Sequence, residues 1–134
     1  EHYRMTIPEI FAKGGESLFR DYEHEIARQV CGLGPSVIST GGGMLTFDRN
    51  GEILAKSGTI FYIDRPFEDC YRNLALHPER PLFKNHTKEE VQNMYLTRRE
   101  LYKKHAKYNI PNTGIPQDAV AKICAVLSSI LAIS

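Results

Sequence analysis

Three consecutive glycines and three arginines carry most of the chemistry that this sequence offers. Gly41, Gly42 and Gly43 directly follow the β-rich run Ser36-Val37-Ile38-Ser39-Thr40. Removing three side chains in a row lets backbone N–H groups approach a ligand, and the C-terminal end of a strand in an α/β sheet is where small molecules bind. A plain tight turn would use the same glycines. Arg20 shares a stripe with Glu16 and Glu23 at the i, i+3 and i+4 spacings where charged side chains meet on a helix, which is also the pattern of a surface ion-pair ladder. Arg98 is the sharper anomaly. On a helical wheel it falls between Met94 and Val91 and is flanked by Tyr95, Leu101 and Tyr102, inside the apolar face. A guanidinium placed there must snorkel, pair with a protein carboxylate, or face a pocket whose ligand supplies the negative group, because an unpaired buried charge is strongly unfavourable. Arg80-Pro81-Leu82 sets an arginine in a polar, proline-bearing stretch. A loop arginine that swings over phosphates neutralises charge developing in phosphoryl transfer, although solvated loop arginines are common.

Other reactive groups form no known constellation. His2, His24, His77, His86 and His105 make no H-E-x-x-H or triad-like pattern and read as surface or packing residues. Ser17, Ser36 and Ser39 sit in no G-x-S-x-G turn, and Cys31 beside Gly32 has no base nearby in sequence, so nucleophilic hydrolysis has no support. Cys31, Cys70 and Cys124 are odd in number, far apart and without a C-x-x-C pair, which predicts reduced, packed thiols of a cytosolic protein.

The elements that must position these groups follow from periodicity. Thr6 as N-cap, Pro8 in the first turn and Glu9 three residues after the cap predict a short helix over 6–13, stopped by Gly14-Gly15. Leu18, Phe19, Tyr22, Ile26 and Val30 recur on one arc and predict a second helix over 16–30. Residues 36–40 read as a strand ending in the glycine turn, and 59–63 as a strand covered on both faces. A crossover helix fits 48–56. Helices are predicted over 67–76, 87–106 and 116–131, with a brief strand at 108–110. Residues 77–88, holding Pro78 and Pro81 among charges, read as a mobile surface loop. Alternating strands and helices predict a parallel sheet with helices on it.

The chain of 134 residues is sized for one domain, and 42% hydrophobic with 25% charged residues is the balance of a globular protein rather than a disordered one. Seventeen Lys+Arg against sixteen Asp+Glu leave a formal charge of +1, too little for the net field to attract nucleic acid. The apolar stretch 119–133 is shorter than the ~20 residues of a membrane span and is broken by Lys122, Ser128 and Ser129, so it reads as a packed helix and no membrane contact is expected. Nothing at the start resembles an export signal.

Taken in order, Gly15-Glu16, Phe19-Arg20, Glu23, Ile38-Ser39-Thr40-Gly41-Gly42-Gly43, Arg80-Pro81-Leu82, and Arg98 with Leu101-Tyr102 resemble shikimate kinase over roughly residues 1 to 110. The resemblance implies an α/β, P-loop kinase-like three-layer fold with a parallel sheet. It implies ATP-dependent phosphorylation of the shikimate 3-hydroxyl, with Mg²⁺ bridging the phosphates, in the chorismate route to aromatic amino acids. By the same likeness, Arg20 and Arg98 clamp the shikimate carboxylate, Gly41, Gly42 and Gly43 line its ring, and Glu23 holds Arg20. Arg80 becomes the catalytic arginine of a lid over ATP, and Arg72 stacks on adenine. A cytoplasmic monomer is implied.

The family's G-x-x-G-x-G-K-[ST] phosphate loop and Asp-x-Asp pattern do not occur in these residues. The expectation is therefore a single shikimate kinase-like domain, truncated at its N-terminus, lacking the first two strands and the phosphate loop, and inactive as written. In the family's strand order 2-3-1-4-5, that leaves a gap of about 10 Å between two retained strands. Two alternatives stand beside it. One is a non-catalytic carboxylate-binding module derived from the same fold. The other is a related small-molecule kinase, for instance one acting on gluconate.

Overall fold

The computed structural model describes residues 5–78 and 85–133. The chain forms two compact units, residues 1–59 and 60–134.

In the first unit, α1 (Ile7–Val30) opens on the expected capping box: Glu9 N–H donates to Thr6 Oγ1 at 3.2 Å, and Thr6 N–H to Glu9 Oε2 at 3.3 Å. The element is two helical segments joined at Gly15, whose φ of 70° and ψ of −163° no helix contains. The predicted break at Gly14-Gly15 is therefore real, and the two segments are nearly contiguous. Along the second segment the apolar arc is half-buried around a fully buried Ala27. A 3-10 turn (Met44–Thr46) and α2 (Asp48–Ser57) follow the glycines. Leu45 is buried in the turn and contributes on the order of 2 kcal/mol.

The strand expected over 36–40 is absent: among the described residues nothing forms a ladder with it. Val37 is fully exposed and Ile38 is 46% exposed. β-propensity measures how well a side chain fits a half-buried pleated surface, and without a neighbouring strand that surface does not exist. The triple glycine thus follows an irregular segment rather than a strand.

In the second unit, β1 (Phe61–Asp64) pairs in parallel with β2 (Tyr108–Pro111), Phe61 opposite Tyr108 and Asp64 opposite Pro111. Phe61 and Tyr108 stack with ring centres 5.3 Å apart across that register. The crossover between them holds α3 (Phe67–Ala75) and α4 (Lys88–His105), and α5 (Pro116–Ile133) closes the chain. Thr87 caps α4 by accepting from Glu90 N–H at 3.2 Å. Val91, Ile110 and Ala119 form the buried core. β1 is not covered on both faces as expected, since Ile63 is 46% exposed. The closing helix buries Ala119 but leaves Val120 and Leu131 in solvent, so it is only partly packed. Cys70 and Cys124 are exposed rather than packed, although Cys70 borders a cavity lined by Phe67 and Tyr102. Cys31 is half-buried, its thiol donating to the Ala27 carbonyl at 3.1 Å. All three are free.

Among the described residues no helix is long and apolar enough to cross a membrane.

Candidate functional site

In the first unit, the predicted Arg20 stripe and the last glycine of the triplet meet. Arg20 Nη1 donates to Glu23 Oε1 at 3.0 Å and Nη2 to Glu16 Oε1 at 3.4 Å. The two bonds differ in kind. Glu23 is 12% exposed and the Glu23 bond is short; Glu16 is 68% exposed and its bond is long. An exposed, stretched ion pair contributes little, so Glu16 is exchangeable and Glu23 is the fixed partner. Arg20 Nε is buried and hydrogen-bonds to no group among the described residues. The guanidinium packs against two rings, Phe19 at 5.2 Å and Phe47 at 5.4 Å. Gly43 is buried directly against it. A Cβ there would fall 2.8 Å from Arg20 Cζ and 2.9 Å from Nη2, closer than side-chain contacts allow. Glycine at 43 is therefore what lets the arginine lie on the backbone. Gly41 and Gly42 are exposed.

In the second unit, Arg98 faces where its wheel position predicts. It is half-buried and lines a cavity of about 270 Å³ with Tyr62, Phe67, Met94, Tyr95 and Tyr102. Tyr102 lies one helical turn on, and the Arg98 charge partly offsets the rise that burial gives its hydroxyl's pKa. Among the described residues no carboxylate pairs with it. Within this unit the arginine thus borders a cavity instead of a protein carboxylate.

Burial pushes the hydroxyls of Tyr62, Tyr95 and Tyr102 above their ordinary value of 10.0, and the Asp64 carboxylate reinforces the shift at Tyr62 and Tyr95. The folded chain keeps these protons above pH 10, where the unfolded chain releases them. Stability from this source is thus constant below pH 10 and falls as pH rises beyond it. Thermal midpoints across an alkaline series should drop, and phenolate absorbance from these tyrosines should appear at higher pH than that of a free tyrosine. Ordinary titration of all the tyrosines in the folded chain would contradict the burial described.

Arg72 lies on α3, is 74% exposed, and pairs with Asp69 at 3.4 Å. Arg80, with Pro81 and Leu82, lies outside the described residues. Two arrangements had no sequence signal. Arg99 grips Asp64 with two bonds, Nε to Oδ1 at 3.2 Å and Nη2 to Oδ2 at 2.8 Å. That hydrogen bond, chiefly, holds the Asp64 carboxyl below the usual carboxylate range. Tyr62 and Asn109 also donate to Asp64, so α4 is fixed through Arg99 to the C-terminal end of β1. The second is a buried amide, Asn50, bonded to His24. Nothing local in the sequence marks Asp64 as the partner of Arg99, or His24 as the partner of Asn50.

The residues present supply no Mg²⁺ site: the phosphate-loop hydroxyl is not among them, and among the described residues no three His, Cys, Asp or Glu side chains converge to hold a metal ion. No step through the metal is derived.

Comparison with known proteins gives a consistent result. The sequence model of the family described as shikimate kinase matches residues 1–128. A shikimate kinase of Clostridium botulinum is 34% identical over 127 residues, covering 95% of this chain and 75% of that protein. One of Aquifex aeolicus is 34% identical over 119 residues, covering 89% of this chain and 70% of the other. Among solved structures, shikimate kinase from Acinetobacter baumannii in complex with shikimate superposes with a TM-score of 0.81 at 28% identity, covering 99% of this chain and 74% of that one.

Proposed function

The chain belongs to the shikimate kinase family, and from that premise we propose that residues 1–134 form one shikimate kinase-like domain in which Arg20, Gly41, Gly42, Gly43 and Arg98 bind shikimate. The family's fold is the P-loop kinase-like α/β type, and its members are ATP-dependent, Mg²⁺-using phosphotransferases of aromatic amino-acid biosynthesis. The reaction is phosphorylation of the shikimate 3-hydroxyl, at which positioning and charge neutralisation carry most of the acceleration.

The observation that carries the assignment of residues is the Arg20–Gly43 packing. A guanidinium laid on a glycine, clamped on one side by Glu23 and only loosely held by Glu16, presents an exchangeable Nη2 to an incoming carboxylate. The substrate's carboxylate replaces Glu16 there, and Glu23 keeps the arginine from following it into solvent. Arg98 is assigned to the carboxylate by the family resemblance, and a planar guanidinium fork takes a carboxylate bidentately better than a lysine could. Arg80 serves as the catalytic, ATP-contacting arginine and Arg72 as the adenine neighbour; both assignments rest on the family resemblance. The protein works in the cytoplasm as a monomer, with shikimate and ATP as its small-molecule partners.

The test is a calorimetric titration of the chain with shikimate, its methyl ester and gluconate. Shikimate should bind and the other two should bind more weakly. Arg98→Ala should weaken shikimate by about tenfold to a hundredfold, the value of a lost charge-assisted hydrogen bond, and Arg98→Lys should recover only part of it. Equal binding of shikimate by wild type and Arg98→Ala would remove Arg98 from the site, and equal binding of all three ligands would discredit the carboxylate reading.

A further inference from the structure

Asn50 is the largest fully buried side chain among the described residues, 1% exposed, and it is polar. A buried amide without partners is costly, so the groups it bonds are informative. Its Nδ2 donates to the Met44 carbonyl at 2.9 Å, in the turn that follows the triple glycine. Its Oδ1 lies 2.6 Å from His24 Nδ1. With the amide nitrogen committed to a carbonyl, the oxygen can only accept, so His24 Nδ1 carries the proton and donates. His24 stands on α1 one turn beyond Arg20 and next to Glu23.

The backbone at Asn50 completes the frame. Asn50 N–H donates to the Phe47 carbonyl at 3.0 Å, and Phe47 is the ring packed on the Arg20 guanidinium. Thr46 Oγ1 donates to the Gly43 carbonyl at 2.7 Å. The carbonyls of Gly43, Met44 and Phe47 are therefore each held, two of them by Asn50, and the amide is tied in turn to the helix that bears Arg20. The guanidinium occupies the space that a side chain at 43 would fill, so the position of the turn sets how closely the arginine can lie on it.

We propose that Asn50 and His24 are positioning residues for the shikimate carboxylate, setting the Gly43–Arg20 spacing through the Met44 carbonyl. The inference rests on the placement of Arg20 and Gly43 in the shikimate site. Neither residue touches substrate. Their effect falls on the ligand's charge and not on its ring.

Two variants test it. Asn50→Asp keeps the shape and the bond from His24 but turns the donor to Met44 into an acceptor; His24→Ala leaves the donor and frees the amide oxygen. Both are assayed for thermal midpoint and for binding of shikimate and shikimate methyl ester. Asn50→Asp should weaken shikimate by roughly tenfold and the ester by less than about twofold, and His24→Ala should act in the same direction at about threefold, as expected for loosening one charged contact. Unchanged shikimate affinity in a folded variant, or equal losses for both ligands, would overturn the proposal, since a merely structural role weakens both alike. If Asn50→Asp does not fold, His24→Ala decides by the same two criteria. Failure of the wild-type chain to prefer shikimate over its ester would instead overturn the underlying site assignment, and this inference with it.

Discussion

Gly43→Ala should weaken shikimate binding by about tenfold to a hundredfold while lowering the thermal midpoint by only a few degrees. The added Cβ falls within 3 Å of Arg20 Cζ and Nη2, so one of them must shift. The guanidinium is the far end of a flexible side chain, whereas the turn is held by Thr46 and Asn50, so the arginine yields. Swinging an arginine that is 18% exposed toward solvent breaks its bond to Glu23 and costs the fold about 1 kcal/mol, while Glu16 and water can follow it. It costs the ligand much, because the fork no longer meets the carboxylate. Calorimetry on Gly43→Ala, Arg20→Ala and the double variant forms a cycle: the double variant should bind no more weakly than Arg20→Ala alone. Additive losses would mean that position 43 acts on the ligand independently of Arg20.

The largest expected effect on stability belongs to Gly15→Ala. At φ 70° and ψ −163°, Gly15 occupies a region that is essentially reserved for glycine, and a Cβ there would touch nothing within 4 Å. The penalty is thus pure backbone strain, about 1–3 kcal/mol, and each kcal/mol lowers the midpoint by roughly 3–6 °C for a chain of this size. Gly58→Ala is the control. Its φ of −165° is extended backbone that any residue adopts, and it too has open space around it. Thermal melts should separate the two clearly; equal midpoints would mean that the kink at residue 15 relaxes without cost.

Gly15 illustrates what is legible in the sequence alone. The break at Gly14-Gly15 and the capping box at Thr6 and Glu9 are local events, written within a few residues. The same holds for Phe61–Asp64, Tyr108–Pro111 and the inward face of Arg98. The exception among local signals is the run from Ser36 to Thr40, which has strand composition and no strand, because pairing is a property of two segments. The pairings that fix the site are likewise nonlocal. Asn50 reaches 26 residues back to His24, and Arg99 reaches 35 residues to Asp64. A helical wheel marks Arg98 as unusual because its neighbours on the same helix are apolar. It cannot mark Asn50, whose partners lie on another helix and on a backbone carbonyl.

The contact between Gly43 and Arg20 also has an evolutionary reading. Position 43 is barred from acquiring a side chain only while an arginine lies across it, so the constraint on the glycine is borrowed from residue 20. In a lineage released from this substrate, the arginine would be free to drift first, and only descendants that had already lost it could accept alanine or serine at 43. The order of those two changes in diverged copies would record whether the enzyme's specificity was abandoned or merely retuned.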